Sequence, residues 1–162
     1  MSRITLIPCL AAAFIIGACT DDKGAGPVTT TGTPALLAGG KWKMTAHTVS
    51  PGVDFDLNGV IVTDLFAVEG GCTHDDITKY TTDGKWSIDE GATKCLPSDP
   101  QTESGTWILN STGDWLSMKS TLDPVALEFK VDEVSATSLR LSTHADWNDG
   151  KDHLETTTYT AQ

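Results

Sequence analysis

Basic residues are scarce in this 162-residue chain: 11 Lys and Arg stand against 22 Asp and Glu, for a net charge of −11. That balance excludes electrostatic binding to nucleic acid or to an anionic membrane surface. Long apolar runs are missing too, since none reaches the roughly 20 residues with which a helix spans a bilayer. There is no Gly-x-Ser-x-Gly elbow, no His-Glu-x-x-His pair, no phosphate-binding glycine loop and no dinucleotide fingerprint. His47, His74, His144 and His153 are scattered singly, as solvated or hydrogen-bonded strand residues usually are. Asp75 and Asp76 are adjacent, but neighbours on a strand point to opposite faces and do not share a site without a bulge. The segment from Asp146 to Asp152 has calcium-loop composition in the wrong register. With Gly150 at the sixth position, Ala145 and Trp147 fall on ligand places, and a polar turn at Asn148-Asp149-Gly150 is the simpler reading.

What is present is enough for one domain. The chain is 39% hydrophobic and carries five Trp, which is too apolar for a disordered protein, and its length suits a single core.

The N-terminus reads as an address. Met1-Ser2-Arg3 is a short positive start, followed by an apolar stretch from Ile4 to Ala18 that suits the core of a secretory signal. The run ends Ile16-Gly17-Ala18-Cys19, which resembles the lipobox of bacterial lipoproteins. The resemblance implies cleavage after residue 18 and acylation of the Cys19 thiol. Acyl chains contribute about 0.8 kcal/mol per buried methylene, so two or three of them anchor a protein durably at the outer membrane. Thr20-Asp21-Asp22-Lys23 resembles the surface-export signal of lipoproteins in the Bacteroidota, and it reads equally well as the start of a solvated linker. Residues 19–35 form that linker, and the domain is expected over 36–162.

From Leu36 onward, short alternating runs separated by turn residues predict an all-β fold. Strands are expected at about 41–49, 77–82, 85–89, 105–110, 115–119, 125–131, around 139–141, and 156–161. Trp42, Met44 and Ala46 share a face in the first, and the sixth is the longest. Asp83-Gly84 is the strongest hairpin signal. Eight strands close into a small antiparallel barrel without sheet edges. No stretch has a helical period, although Asn58 to Val68 has room for one short turn of helix.

Cys9 departs with the signal and Cys19 is acylated, which leaves Cys72 and Cys95. Export makes a disulfide between them the expected outcome. The alternative, a metal pair with His74, Asp75 or Asp76, lacks any Cys-x-x-Cys spacing.

Taken together, Gly40-Lys41-Trp42, Cys72 with Asp75-Asp76, Asp83-Gly84, Gly91 to Cys95 and Gly105-Thr106-Trp107 resemble the lipocalin-like domain of Bacteroidota lipoproteins. The likeness runs from about Leu37 to Tyr159. It implies an up-and-down barrel in which Trp42 plugs the closed end. In lipocalins an Arg from the last strand covers that Trp. The only Arg of the domain, Arg140, falls on the penultimate strand and faces outward, so its role is left open. The resemblance also implies a monomeric binding module without enzymatic activity or cofactor. Tyr80, Trp86, Trp107 and Trp115 are the expected ligand-binding residues, on the grounds that lumens favour aromatic walls with a few polar groups. The alternative is a protein-interaction or envelope-assembly module whose barrel is filled by its own side chains.

Overall fold

Turn chemistry and alternation lay the chain down as a meander. In the computed structural model, which describes residues 32–162, a short helix α1 (Thr33–Gly39) leads into β1 (Lys41–Val53). There follow β2 (Val62–Asp64), a 3₁₀ turn (Gly71–Thr73), β3 (Ile77–Tyr80), β4 (Lys85–Asp89) and β5 (Thr102–Leu109). The chain continues through β6 (Trp115–Ser120), β7 (Ala126–Val134), β8 (Ser138–Asp146) and β9 (Asp152–Ala161). Cys19 and the segment expected to be a signal lie outside the described residues.

All pairings are antiparallel, and β3 to β9 follow one another in order. β9 then pairs back along β1, from Trp42 opposite Ala161 to Ser50 opposite Leu154, and β1 pairs with β3 over Lys41–Lys43. The result is a closed up-and-down barrel of eight strands, β1 and β3–β9, as expected. β2 was not expected. It pairs with the far half of β1, which extends beyond β3 and would otherwise present an open edge there.

Two bulges correct the simple alternation. Between Met44 and Ala46 one extra residue of β1 opposes β9, so the face that begins with Trp42 and Met44 passes to His47 and Val49 rather than to Ala46. Between Val131 and Glu133 a second bulge passes the inward face of β7 to Val134. β1, with 13 residues, is the longest strand, not β7.

The barrel has a plugged end and an open end. At the plugged end Leu37, Trp42, Trp86, Trp107, Leu116 and Leu139 form one buried cluster with Tyr80 and Leu141. α1, missed because two turns are too short to show a period, delivers Leu37 to that cluster. Both described chain ends lie there, and the Gln162 N–H donates to the Lys41 carbonyl. At the open end β1, β8 and β9 extend further, and the 54–70 segment folds against them. Val49, Val53 and Leu65 make a second small core there with Phe55, Val62 and Trp147. Within the 58–68 segment, where a short helical turn was expected, Val62–Asp64 form β2 instead, and a hydrogen-bonded turn follows at Leu65–Glu69, where the Glu69 N–H donates to the Leu65 carbonyl.

Candidate functional site

Above the plug, the inward side chains do not meet. A cavity of about 290 Å³ opens between them, just below the ~300–1,000 Å³ range usual for ligand pockets. β3 supplies Thr78 and Tyr80, β4 Trp86 and Ile88, β6 Met118 and Ser120, β7 Leu127 and Phe129, β8 Leu141, and β9 Tyr159. Glu103, Asp123 and Val125 stand toward the mouth. The wall is therefore aromatic and aliphatic, with carboxylates at one end.

The expected ligand residues divide. Tyr80 and Trp86 line the cavity. The Tyr80 hydroxyl donates to Met118 Sδ at 3.4 Å, and burial holds its pKa well above the usual tyrosine value. Burial, followed by the charge of Glu69, pushes Tyr159 up to about 12, so both phenols are neutral donors at physiological pH. The Trp86 Nε1–H is buried without an acceptor. It lies over Gly105, where a Cβ would sit 2.7 Å from Nε1 and 1.9 Å from the Lys119 carbonyl oxygen, so only glycine fits under the ring.

Trp107 does not reach the cavity. It is buried edge-on to Tyr80 at 5.7 Å, and its Nε1–H is shared between the carbonyls of Thr81 and Lys85. Trp107 thus braces the floor and the β3–β4 turn. Trp115 does not reach it either. Leu116 takes the inward position of β6, which leaves Trp115 on the outer face and 45% exposed. The apolar spacing of Leu116 and Met118 against Ser117 and Lys119 carries that phase in the sequence.

Trp42 is fully buried in the plug, and its Nε1–H donates to the Leu37 carbonyl at 2.8 Å. A Cβ at Gly40 would lie 2.5 Å from the Trp42 ring, which explains why glycine precedes the Lys-Trp pair. Arg140 does not cover this Trp. It is exposed, 3.3 Å from Glu133, and α1 makes the cover instead.

Sequence reasoning missed a polar cluster at the open end. His47 Nδ1 lies 2.6 Å from Glu69 Oε1, and Nε2 lies 3.5 Å from Glu155 Oε2. The Trp147 Nε1–H donates to Glu155 Oε1 at 2.9 Å. Two facing carboxylates, Glu155 foremost, raise the His47 pKa to about 9, so the ring is an imidazolium donating from both nitrogens. Nearby, His153 is fully buried, with Nδ1 2.8 Å from the Pro51 carbonyl and Nε2 2.9 Å from Asp149. Two acceptors around one ring again favour the cation, and its pKa is raised chiefly by Asp149. No linear spacing brings residues 47, 69 and 155 together; only barrel closure does.

Cys72 and Cys95 are joined as a disulfide, with Cα atoms 5.0 Å apart. The bridge ties the 3₁₀ turn before β3 to the loop after β4, and this pairing excludes the metal alternative for these thiols. Beside it Asp75 Oδ2 accepts from the backbone N–H groups of Ala92 and Thr93 at 2.7 and 3.1 Å. Asp76, desolvated and facing Glu90, Asp75 and Asp89, is pushed up to about 6. Among the described residues no group of three or more His, Cys, Asp or Glu is arranged to hold a metal ion, and no helix is long and apolar enough to cross a membrane.

Fold and site together define a closed eight-stranded antiparallel barrel, plugged at one end and hollow at the other. No protein-family model and no curated protein matches the sequence. Among solved structures, the chain is similar to a lipocalin-like protein from Bacteroides uniformis, at 16% identity over 78% of this chain and 99% of that one, with a TM-score of 0.48. It is also similar to a DUF4847 family protein from Bacteroides vulgatus, at 13% identity over 81% and 98% of the two chains, with a TM-score of 0.47.

Proposed function

We propose that this chain is a lipid-anchored carrier or receptor that holds one small apolar or amphipathic molecule in the open half of its barrel. The observation that carries the proposal is the cavity of about 290 Å³ walled by Tyr80, Trp86, Met118, Phe129, Leu141 and Tyr159. At ~30 Å³ per water-sized group, it has room for on the order of ten non-hydrogen atoms. Acylation at Cys19 would fix the barrel to the outer membrane, with the surface-export signal deciding the leaflet. Binding without turnover suits a wall of aliphatic and aromatic groups with neutral phenols. Trp107 serves as support beneath the pocket and Trp115 has no part in it. Titration of Trp fluorescence with fractionated envelope extracts, followed by native mass spectrometry of the complex, tests this reading. A quench accompanied by a discrete added mass supports it; no fraction producing either refutes it.

A second reading, a protein-interaction module, draws on the exposed apolar side chains of Leu122, Val125 and Leu127 around the β6–β7 turn. Its expected signature was a filled barrel. The plugged half meets that description and the open half does not, which favours the small ligand.

A further inference from the structure

We infer that the cavity selects a cationic amphiphile, an amine carried on a compact apolar body, over a neutral or anionic one. The inference rests on the ligand-holding reading above and adds the charge of the ligand. The residues that line the cavity include two carboxylates, Glu103 and Asp123, and no Lys, Arg or His. Glu103 is half-buried on β5 and accepts from the Ser120 hydroxyl at 2.5 Å, which fixes its carboxylate toward the mouth. Asp123, in the β6–β7 turn, accepts from the Val125 N–H at 2.8 Å. The nearby cluster adds Glu69 and Glu155 against the single charge of His47, so it contributes no positive excess. Bringing an anionic head into this mouth would set like charges together in a partly desolvated space, whereas an ammonium meets carboxylates from β5 and from the β6–β7 turn. Deeper in, Tyr80, Trp86, Phe129 and Tyr159 supply an aromatic wall that covers an apolar body. The low basic content of the chain extends the same field around the opening.

The test is a matched series of about the right size: octylamine, octanol and octanoate, titrated by calorimetry at neutral pH. The full chain would carry Cys19→Ala, so that no acyl group competes for the cavity. Octylamine is expected to bind at least tenfold more tightly than either analogue, and to weaken as salt is raised. A Glu103→Gln/Asp123→Asn double variant, which keeps the size and hydrogen-bonding capacity of both side chains, should lose that preference while still binding octanol. Equal binding of octylamine and octanol, or tighter binding of octanoate, overturns the charge inference and leaves the small-ligand reading standing. No heat or quench with any of the three overturns both.

Discussion

His47 makes the barrel's stability depend on pH in a calculable way. Between Glu155 and Glu69 its pKa rises from 6.5 to about 9, against the pull of partial burial in the other direction. A raised histidine pKa means that the folded state holds the proton more tightly than the unfolded state. The resulting stabilisation is complete below about pH 6.5 and is lost as pH climbs through about 9. At ~1.4 kcal/mol for each tenfold change in proton affinity, the ceiling is about 3 kcal/mol. The ring is 16% exposed, so solvent screening brings the expected loss between pH 7 and 9.5 nearer ~2 kcal/mol. Urea unfolding followed by Trp fluorescence at half-unit steps reads this directly. The series stops at pH 9.5 because the raised pKa values of Tyr80 and Tyr159 add a penalty at higher pH, where the unfolded phenols ionise first. His153 contributes with the same sign, so the informative comparison is with His47→Gln, which keeps the His153 contribution and should lose most of the slope. A wild-type midpoint that stays level from pH 6.5 to 9.5, or a His47→Gln profile with the same decline, would refute the reasoning.

Four further outcomes follow from particular contacts. Replacing Cys72 by Ala should cost roughly 3 kcal/mol, read as a lower urea midpoint that reducing agent reproduces in the parent chain. The Asp76→Asn variant should gain about 1 kcal/mol at pH 7.5 and little at pH 4.5. A carboxyl raised to about 6 by burial and by Glu90 favours folding only when protonated, so ionising it at neutral pH works against the fold. Gly40→Ala sets a methyl 2.5 Å from the Trp42 ring and should destabilise by ~1–3 kcal/mol, with a changed near-ultraviolet circular dichroism signal from the displaced indole. Finally, Cys19→Ala should move the protein from the membrane to the soluble fraction on centrifugation, with the urea midpoint unchanged.

The strand order and closure were legible because eight alternating runs with strong turns leave few ways to pair, and Asp83-Gly84 sets the register of β3 against β4. Bulges were not legible, since an inserted residue such as Thr45 leaves no mark in composition and yet moves the inward face from Ala46 to His47. α1 and β2 escaped for want of length, at 7 and 3 residues. Of the four expected ligand residues, Tyr80 and Trp86 line the cavity. Trp115 falls on the outer face because the Leu116–Met118 alternation, and not the aromatic character for which it was chosen, sets the phase of β6. Trp107 was rightly taken as inward, but its depth along the barrel, which decides floor against wall, depends on the stagger of all eight strands.

Both described chain ends leave the barrel at its plugged end, beside α1 and the Gln162–Lys41 hydrogen bond. On the proposed Cys19 anchoring, the segment that leads to it would enter the domain at the plugged end, opposite the hollow end. Under that proposal a guest would reach the cup from the side away from the linker's entry into the barrel. The same geometry makes Gln162 the natural place for a fusion or an immobilising tag, since a bulky appendage there sits under the barrel floor and leaves the doorway clear.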